Sequence, residues 1–379
     1  MGRRSGLSRH ILGRIHGSGM ERMRFHAEGF GAGWPRPHFL GARFSGPLVF
    51  SGSGWRWWLA DEAAQVPARL LDRFLQDGDP AGITLLRERA EKHKSRRIYR
   101  LQPPESPDSP GYFVKQMALT PRKRLGALLG CSSPLVGVSH GTAELAHNLA
   151  LNERTVHGVG TFAFGEYFRC GLPVQQILLQ EYLAGWQAFS DVWLAHEDDA
   201  ARRRTLLRQL MEVLTALRGA GICHLDLHPG NVMVSPEPRA PLRVIDCGQM
   251  AMGTDAALST ALHLGVFLHE LNGKRSAPSP RLAQAACRLL RRLIGDEASL
   301  ADAERLLPLL IDHSTKKPFS RRRLLERRAA LDPAGLERRL QELARNRPSS
   351  HLASETPDLG ERRERRLIAS IEDMLATPD

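Results

Sequence analysis

The sequence has few of the features that secreted, zinc-binding or membrane-spanning proteins need. Its five cysteines lie far apart and form no CxxC pair, which excludes a disulfide scaffold and a zinc ribbon and favours a reducing compartment. No run of about 18 apolar residues occurs, so the sequence predicts no transmembrane helix. The amino-terminal stretch is basic but has no apolar core, which argues against a secretory signal. We therefore expect a cytoplasmic protein.

Aromatic residues are also scarce, and acidic residues are fewer than basic ones. Aromatic residues make up 6% of the chain, which disfavours long stacking platforms for single-stranded nucleic acid. The 53 Lys and Arg residues outnumber the 41 Asp and Glu residues and give a formal net charge of +12. This balance favours anionic partners, but no nucleic-acid motif accompanies it, so we expect no nucleic acid partner. Two interpretations stay open, namely solvated helix faces and peripheral contact with an anionic membrane surface. The basic clusters are Arg122–Arg124, Arg321–Arg323, Arg327–Arg328, Arg362–Arg363 and Arg365–Arg366.

The hydrophobic pattern divides the chain into a β-rich part and a helical part. Residues 1–54 are rich in Gly, Arg and Pro and are expected to be flexible. We expect an N-lobe over 55–182, a C-lobe over 183–345 and a basic tail over 346–379. The pattern predicts N-lobe strands at 83–92, 96–102, 112–115, 162–167 and 175–180, and N-lobe helices at 63–75 and 142–157. It predicts C-lobe helices at 200–218, 258–271, 281–294, 302–311 and 336–345, and short strands at 232–234 and 242–245.

The segment CHLDLHPGN at 223–231, followed by VIDCG at 244–248, carries most of the chemical signal. Phosphoryl transfer needs a carboxylate that positions the acceptor hydroxyl, and it needs oxygen ligands for Mg²⁺ on the nucleotide phosphates. Asp226 suits the first role, and Asn231 and Asp246 suit the second. Asp226 alone would be better explained as a helix cap or a surface turn. The joint spacing of the three residues favours a catalytic site.

This segment resembles the catalytic loop of eukaryotic-like kinases, in the form found in bacterial small-molecule kinases. The resemblance implies ATP and Mg²⁺ as cofactors. It also implies an α+β, bilobal protein-kinase-like fold with a small β-rich N-lobe and a larger α-helical C-lobe. Lys115 in YFVK is then expected to hold the nucleotide phosphates, with Glu144 as its helical partner and Glu153 as the competing candidate. Glu181 and Leu183 are expected at the hinge that contacts adenine.

Several positions leave alternatives open or depart from the kinase pattern. His228 stands where protein kinases usually have lysine, and it either donates to the γ-phosphate or packs. His224 is expected to brace the loop, since Pro229 argues against a helical metal-binding pair with His228. Cys247 replaces a common phenylalanine. The hairpin expected to cover the phosphates, residues 87–95, contains no glycine.

A narrower resemblance is to the lipopolysaccharide kinase family, the Kdo and heptose kinases related to WaaP. It rests on the order of RRIYRL, YFVKQM, PRKR, the helix with Glu144, and HGVGTFAFGEY, over about residues 83–271. It implies transfer to a sugar hydroxyl of the lipopolysaccharide inner core, at the inner face of the inner membrane. The alternatives are another small-molecule phosphotransferase, aminoglycoside-type or UbiB-like, and a pseudokinase scaffold. The KxGQ helix of the UbiB group is not visible, and the full set of expected site residues disfavours a pseudokinase.

Overall fold

A computed structural model defines the architecture of the chain. It describes residues 48–50, 54–78, 82–91, 94–104, 109–121, 123–124, 132–133, 137–138, 140–274, 278–295, 300–312, 338 and 357–377. Arg122, the arginines between 321 and 328, and the predicted helix at 336–345 except Arg338 lie outside the described residues. The chain divides into two compact units. The first comprises Met1–Glu153 and Gly158–Ala184, and the second comprises Arg154–His157 and Gly185–Asp379.

The first unit is built on a seven-stranded antiparallel sheet. Its strands are β1 (Leu48–Phe50), β2 (Trp55–Leu59), β3 (Ile83–Glu91), β4 (Lys94–Leu101), β5 (Tyr112–Ala118), β8 (Thr161–Arg169) and β9 (Leu172–Glu181). The strand order is β1-β2-β8-β9-β5-β4-β3. A separate two-stranded ribbon is formed by β6 (Ser132–Ser133) and β7 (Gly137–Val138). The helices are α1 (Gln65–Asp77) and α2 (His140–Arg154). The five predicted strands and both predicted helices are present, although α2 ends at Arg154 and not at 157 as predicted.

Among the described residues of this unit, a helix packs on each face of the large sheet. Helix α1 packs through Ala68 and Leu71 on the face that carries Tyr99, Val114 and other buried apolar side chains. Helix α2 packs through Leu145 and Ala146 on the opposite face, against side chains of four strands. These are Trp58, Met117, Phe164 and Leu178. A sheet covered on both sides in this way holds its inner strand β5 rigidly, which matters for the lysine on that strand.

Two strands of this sheet were not predicted. Strand β1 belongs to the 1–54 span that was expected to be flexible, and β2 follows it. Strand β2 reads WRWWL and shows no apolar and polar alternation, because Trp57 and Trp58 are buried on opposite faces. A strand buried on both faces cannot be recognised by a period of two.

The second unit is mainly helical. Its helices are α3 (Phe189–Ala195), α4 (Ala200–Gly219), α5 (Ala256–Leu271), α6 (Pro280–Ile294), α7 (Leu300–Asp312) and α8 (Pro357–Ala376). Its short strands are β10 (Gln187–Ala188), β11 (Ile222–His224), β12 (Val232–Val234), β13 (Arg243–Val244) and β14 (Met250–Met252). Helix α5 is buried along most of its length and contacts α4, α6 and α7. Over the described ranges, no helix is long and apolar enough to cross a bilayer.

Helix α8 lies in the span that was expected to be a basic tail. It contacts α4 and α6. Its apolar side chains Leu367, Ile368, Ile371 and Met374 are buried at helical spacing. The carboxylate of Glu364 accepts a hydrogen bond from the backbone N–H of Ser279, the residue that caps α6. This part of the tail is therefore an integral element of the second unit.

Candidate active site

Lys115 lies on the inner strand β5 and is paired with a carboxylate on α2. In the register of the sheet, Lys115 stands opposite Ile98 on one side and Leu178 on the other. Its ammonium group donates to Glu144 in a buried ion pair, and the side chains are 3% and 5% exposed. The alternative partner, Glu153, is exposed at the end of α2. A carboxylate in this position fixes the direction of the ammonium group and offsets the free-energy cost of burying its charge.

The helix that carries Glu144 is tied to β8 by asparagine side chains that were not predicted as site residues. Asn148 donates to the carbonyl of Val159 at 2.6 Å and to the hydroxyl of Thr161 at 2.7 Å. Asn152 donates to the same Val159 carbonyl at 2.7 Å. The signal was present, because 144, 148 and 152 follow the four-residue spacing of one helix face. These bonds fix the helix close to the turn where it ends.

The predicted hinge residues lie at the end of β9. The backbone N–H of Glu181 donates to the carbonyl of Gly160, and its carboxylate accepts from the N–H of Gly160 at 3.2 Å. Leu183 follows the strand and is half-buried. The guanidinium group of Arg100 lies over the ring of Tyr182, 4.7 Å from its centroid. Because the N–H of Glu181 is already paired, a ligand at the hinge would have to use its carbonyl group or the backbone of Leu183.

In the second unit, a network of main-chain hydrogen bonds holds the predicted catalytic segment. Strand β11 pairs with β14, and the N–H of Leu225 extends this pairing to the carbonyl of Gln249. A single 3₁₀ turn over Pro229–Asn231 leads into β12, which pairs with β13. The N–H of Ile245 donates to the carbonyl of Asn231 at 3.0 Å. The loop with Asp226 and the strand that leads to Asp246 are therefore fastened to each other.

His224 is the buried side chain that braces this loop. Its Nδ1 accepts from the N–H of Asp226 at 3.1 Å, and its Nε2 lies 3.3 Å from the carbonyl of Ile245. Since Nδ1 accepts, the proton of the neutral ring is on Nε2 and is donated to Ile245. Burial lowers the pKa of His224, which outweighs the raising effect of the nearby Asp226 and Asp246 carboxylates. His224 therefore joins the loop and the strand as a neutral ring.

Asn231 is turned by a bond to the catalytic loop. Its amide nitrogen donates to the backbone carbonyl of Asp226 at 2.9 Å, and the residue is 8% exposed. The backbone of Asp226 is thus bonded at both its N–H and its carbonyl group. Because the nitrogen of Asn231 is committed, its side-chain oxygen is the atom that remains for a cation. Asp226 and Asn231 are brought together as the sequence spacing predicts.

His228 caps the 3₁₀ turn between these two residues. Its Nδ1 accepts from the N–H of Gly230 at 3.1 Å, and the side chain is half-buried. The proton of the neutral ring is therefore on Nε2, which can serve as a hydrogen-bond donor. A side chain at position 230 would contact this ring at 3.0 Å, which explains the glycine. The two alternatives for His228, packing and donation to the γ-phosphate, are thus compatible. Nδ1 stabilises the turn, and the N–H at Nε2 is not used in that bond.

Asp246 has an uncommon backbone conformation. Its φ of 56° lies in the left-handed region, where a non-glycine residue is disfavoured by about 1–2 kcal/mol. Its side chain is exposed, whereas the neighbouring Cys247 is buried. Aspartate is one of the side chains that tolerate this region, and such conformations concentrate at functional sites. The conformation turns the chain sharply directly after Ile245, the residue bonded to His224.

The segment Arg154–His157 braces the strand that leads to Asp246, a role that was not predicted from the sequence. The ring nitrogen Nδ1 of His157 lies 2.8 Å from the carbonyl of Leu242. The carbonyl of His157 accepts from the N–H of Val244 at 2.7 Å. The side chain of Arg243 donates to the carbonyl of Val156 at 2.7 Å. Four residues next to the end of α2 in sequence therefore belong to the second unit.

The residues of the second unit suit a magnesium ion held jointly with nucleotide phosphates. Within the described ranges, no group of three or more His, Cys, Asp or Glu side chains could hold a metal ion by itself. Mg²⁺ is usually bound through one or two carboxylates together with substrate phosphates. The oriented amide oxygen of Asn231 and the exposed carboxylate of Asp246 are ligands of this kind. The donor set therefore fits the metal that phosphoryl transfer requires.

Comparison with known proteins identifies the family. The model of the phosphotransferase enzyme family (APH) matches residues 54–258, which is more than half of the chain. The chain belongs to this family. The match includes every residue discussed above as part of the site, from Lys115 to Asp246. No curated protein matches the chain. A solved structure, WaaP in complex with acyl carrier protein, aligns with a TM-score of 0.40 and 21% identity, over 63% of this chain and 96% of that one.

Family membership confirms three expectations. The protein is a phosphotransferase, its fold belongs to the kinase-like superfamily, and its secondary structure is an α+β mixture with a sheet-based N-terminal part and a helical C-terminal part. The pseudokinase alternative is therefore set aside. The roles of the individual site residues and the identity of the acceptor remain predictions.

Proposed function

We propose that the protein transfers the γ-phosphate of ATP to a hydroxyl group of a sugar in the inner core of lipopolysaccharide, Kdo or heptose. The observation that carries the phosphoryl-transfer part is the bond from the Asn231 amide to the Asp226 carbonyl, in a chain of the phosphotransferase family. This bond keeps the carboxylate residue Asp226 close to the amide oxygen of Asn231, and transfer to a hydroxyl requires both groups.

Each site residue has a role in this proposal. The Asp226 carboxylate accepts a hydrogen bond from the acceptor hydroxyl and takes its proton as the phosphoryl group is transferred. Lys115, directed by Glu144, binds the nucleotide phosphates. The Nε2–H of His228 donates to the γ-phosphate. Asn231 and Asp246 hold Mg²⁺, which, when bound, neutralises charge on the phosphates.

Adenine is expected at the end of β9 in this proposal. The backbone carbonyl of Glu181 and the backbone of Leu183 would bind its edge, because the N–H of Glu181 is already paired. The half-buried aromatic ring of Tyr182 lies between these two residues in sequence. Glu181 therefore acts through its main chain, while its carboxylate accepts the hydrogen bond from Gly160.

The charge of the chain supports an anionic acceptor. At +12, the protein repels a polycation such as an aminoglycoside and attracts the acidic sugars and phosphates of a lipopolysaccharide core. The order of RRIYRL, YFVKQM and HGVGTFAFGEY also supports this acceptor class. The second candidate, another small-molecule phosphotransferase, is favoured by the breadth of the matching family.

The test is a transfer assay with labelled ATP and Mg²⁺. The acceptors are Kdo-bearing lipid A, heptose-containing core oligosaccharides and aminoglycosides, and Asp226→Asn protein serves as the control for contaminating kinases. We expect label in a lipopolysaccharide acceptor and none in the aminoglycosides. Label in the aminoglycosides alone would refute the acceptor class and leave the phosphotransferase assignment intact. No transfer to any acceptor, with ATP unbound, would refute both.

A further inference from the structure

The face of the sheet that carries Lys115 also carries arginine side chains of β3 and β4. Lys115 stands opposite Ile98, and Ile98 stands opposite Arg87. Directly opposite residues of antiparallel strands share a face, so Arg87 lies on the face of Lys115. Arg96 and Arg100 are two residues from Ile98 in either direction and lie on this face as well.

Packing on both sides of the sheet confirms this assignment of faces. Met117, opposite Arg96, and Leu178, opposite Lys115, both pack with α2. Tyr99 and Val114, which stand opposite each other, pack with α1 on the other side. The arginines at even-numbered positions of β4 therefore lie on the α2 side, and Arg97 lies on the α1 side.

The two flanking arginines of β4 have different surroundings. Arg100 is engaged at the hinge end, where it donates to Gln102 at 2.5 Å and lies over the ring of Tyr182. Arg96 is half-buried toward the hairpin end, diagonally next to Lys115 in the register. Diagonal neighbours of this kind are about 7–8 Å apart, which is within the reach of long side chains. Arg87 is exposed on β3.

The hairpin between β3 and β4 lacks the residue that lets a main chain approach phosphates. Residues 87–95 contain no glycine. A loop without glycine brings its backbone N–H groups less closely to an anion, because side chains occupy the approach. Guanidinium groups can supply the same interaction, since they bind phosphate through two parallel hydrogen bonds.

We propose that Arg96 and Arg87 bind the phosphate chain of the nucleotide that Lys115 holds, in place of the main-chain contacts of a glycine-rich loop. The proposal rests on the proposed function, because it takes the ligand to be ATP. It makes binding depend on the number of phosphates. The two arginines contribute to affinity for ATP and ADP, and they contribute nothing to affinity for adenosine.

The matched control is the residue next to Arg96. Arg97 has the same side chain on the same strand but faces the α1 side, where its Nε donates to Glu88 at 2.7 Å. Arg96→Ala, Arg87→Ala and Arg97→Ala proteins are compared by calorimetric binding of ATP, ADP, AMP and adenosine with Mg²⁺. We expect Arg96→Ala to weaken ATP binding at least about tenfold, as the loss of charge-assisted hydrogen bonds implies. We expect a smaller loss in Arg87→Ala, little loss for adenosine, and wild-type binding in Arg97→Ala.

Three results would overturn this proposal. The first is unchanged ATP affinity in Arg96→Ala, the second is an equal loss for ATP and adenosine, and the third is an equal loss in Arg97→Ala. Partial recovery of ATP affinity in Arg96→Lys would support it, because lysine keeps the charge and loses the paired bonds. Wild-type protein that binds no nucleotide would refute the proposed function itself. Normal wild-type transfer with an unaffected Arg96→Ala variant would refute the arginine role alone.

Discussion

At the scale of single residues, Asp226 is held in place through its backbone. Its N–H is bonded to His224 and its carbonyl to Asn231, and both bonds remain when only its carboxylate is changed. A change confined to the carboxylate should therefore leave the loop intact. This separation of chemistry from scaffold makes Asp226 a clean position for mutation.

We expect Asp226→Asn to reduce transfer by about 10²-fold or more, because the amide cannot take the proton of the acceptor hydroxyl. ATP binding should persist, since the residue acts on the acceptor. Turnover and calorimetric ATP binding measure the two effects separately. The exposed Asp77→Asn on α1 is the control for loss of a charge. Near-wild-type turnover in Asp226→Asn would remove this residue from the reaction.

Asp246 allows charge and backbone strain to be separated. Asparagine tolerates the left-handed conformation as aspartate does, whereas alanine does not. We expect Asp246→Asn to keep the melting temperature of the ligand-free protein and to lose the upward shift caused by ATP with Mg²⁺. Asp246→Ala should lose that shift and also about 1 kcal/mol of stability. Equal Mg²⁺-dependent shifts in wild-type and Asp246→Asn protein would contradict a metal role.

The neutral state of His224 predicts a pH dependence of stability. Burial lowers its pKa in the folded protein below the ordinary 6.5, so the unfolded chain takes up a proton first as the pH falls. Its contribution to stability is present above about pH 6.5 and is lost progressively below it. We measure the free energy of unfolding with urea at about pH 7.5 and pH 5.5. We expect it to fall more over this range for the wild-type protein than for His224→Asn. Parallel pH profiles would show that His224 titrates alike in both states.

At the scale of elements, the predictable parts were those with a strong periodic signal. The strands at 83–91 and 94–101 mix apolar and charged residues, and helix α4 has leucines on one face. The leucine face of α4 is visible in the sequence because that side of the helix is buried. The partnership of Lys115 and Glu144 could be proposed because Glu144 falls in the one helix predicted between strands of the N-lobe.

The elements that escaped prediction have weak or misleading patterns. Strand β2 is apolar on both faces. Strands β11 and β14 are three residues long and far apart in sequence, so no local pattern indicates that they pair. In α8, the charged run ERRERR precedes an apolar spacing of only two turns. The tautomers of His224 and His228 depend on three-dimensional neighbours, so they could not be obtained from the sequence.

Helix α8 should stabilise the second unit through its apolar face. Ile371 is fully buried, whereas Glu372 at the surface is paired with Arg281 and Arg288. We expect Ile371→Ala to cost about 2–5 kcal/mol in the free energy of unfolding, as is usual for a buried isoleucine. Glu372→Gln should cost far less, because solvent screens exposed ion pairs. Urea unfolding measures both variants. Similar small losses would show that the helix is only loosely attached.

At the scale of the whole molecule, the positive charge is only partly available to a partner. Arg366 pairs with Glu197 and Asp198, and Arg204 pairs with Asp373, so these groups hold α8 in the second unit. The side chain of Arg124 donates to the carbonyl of Leu119. Arg362 and Arg365 on α8 are exposed. Such pairs leave the net charge of +12 unchanged, because each pair joins one positive and one negative charge.

We propose that this surplus brings the protein to an anionic membrane surface, where a lipid-anchored acceptor is found. Each Lys or Arg near such a surface contributes about 1 kcal/mol, and the attraction decays within a Debye length of about 8–10 Å. We expect co-sedimentation with phosphatidylglycerol-containing vesicles at low salt and release at high salt. Neutral phosphatidylcholine vesicles should not bind the protein, because electrostatic attraction alone is proposed. Binding that ignores both salt and lipid charge would contradict this mechanism, and no binding to either vesicle would show that the excess charge is only a solvated surface.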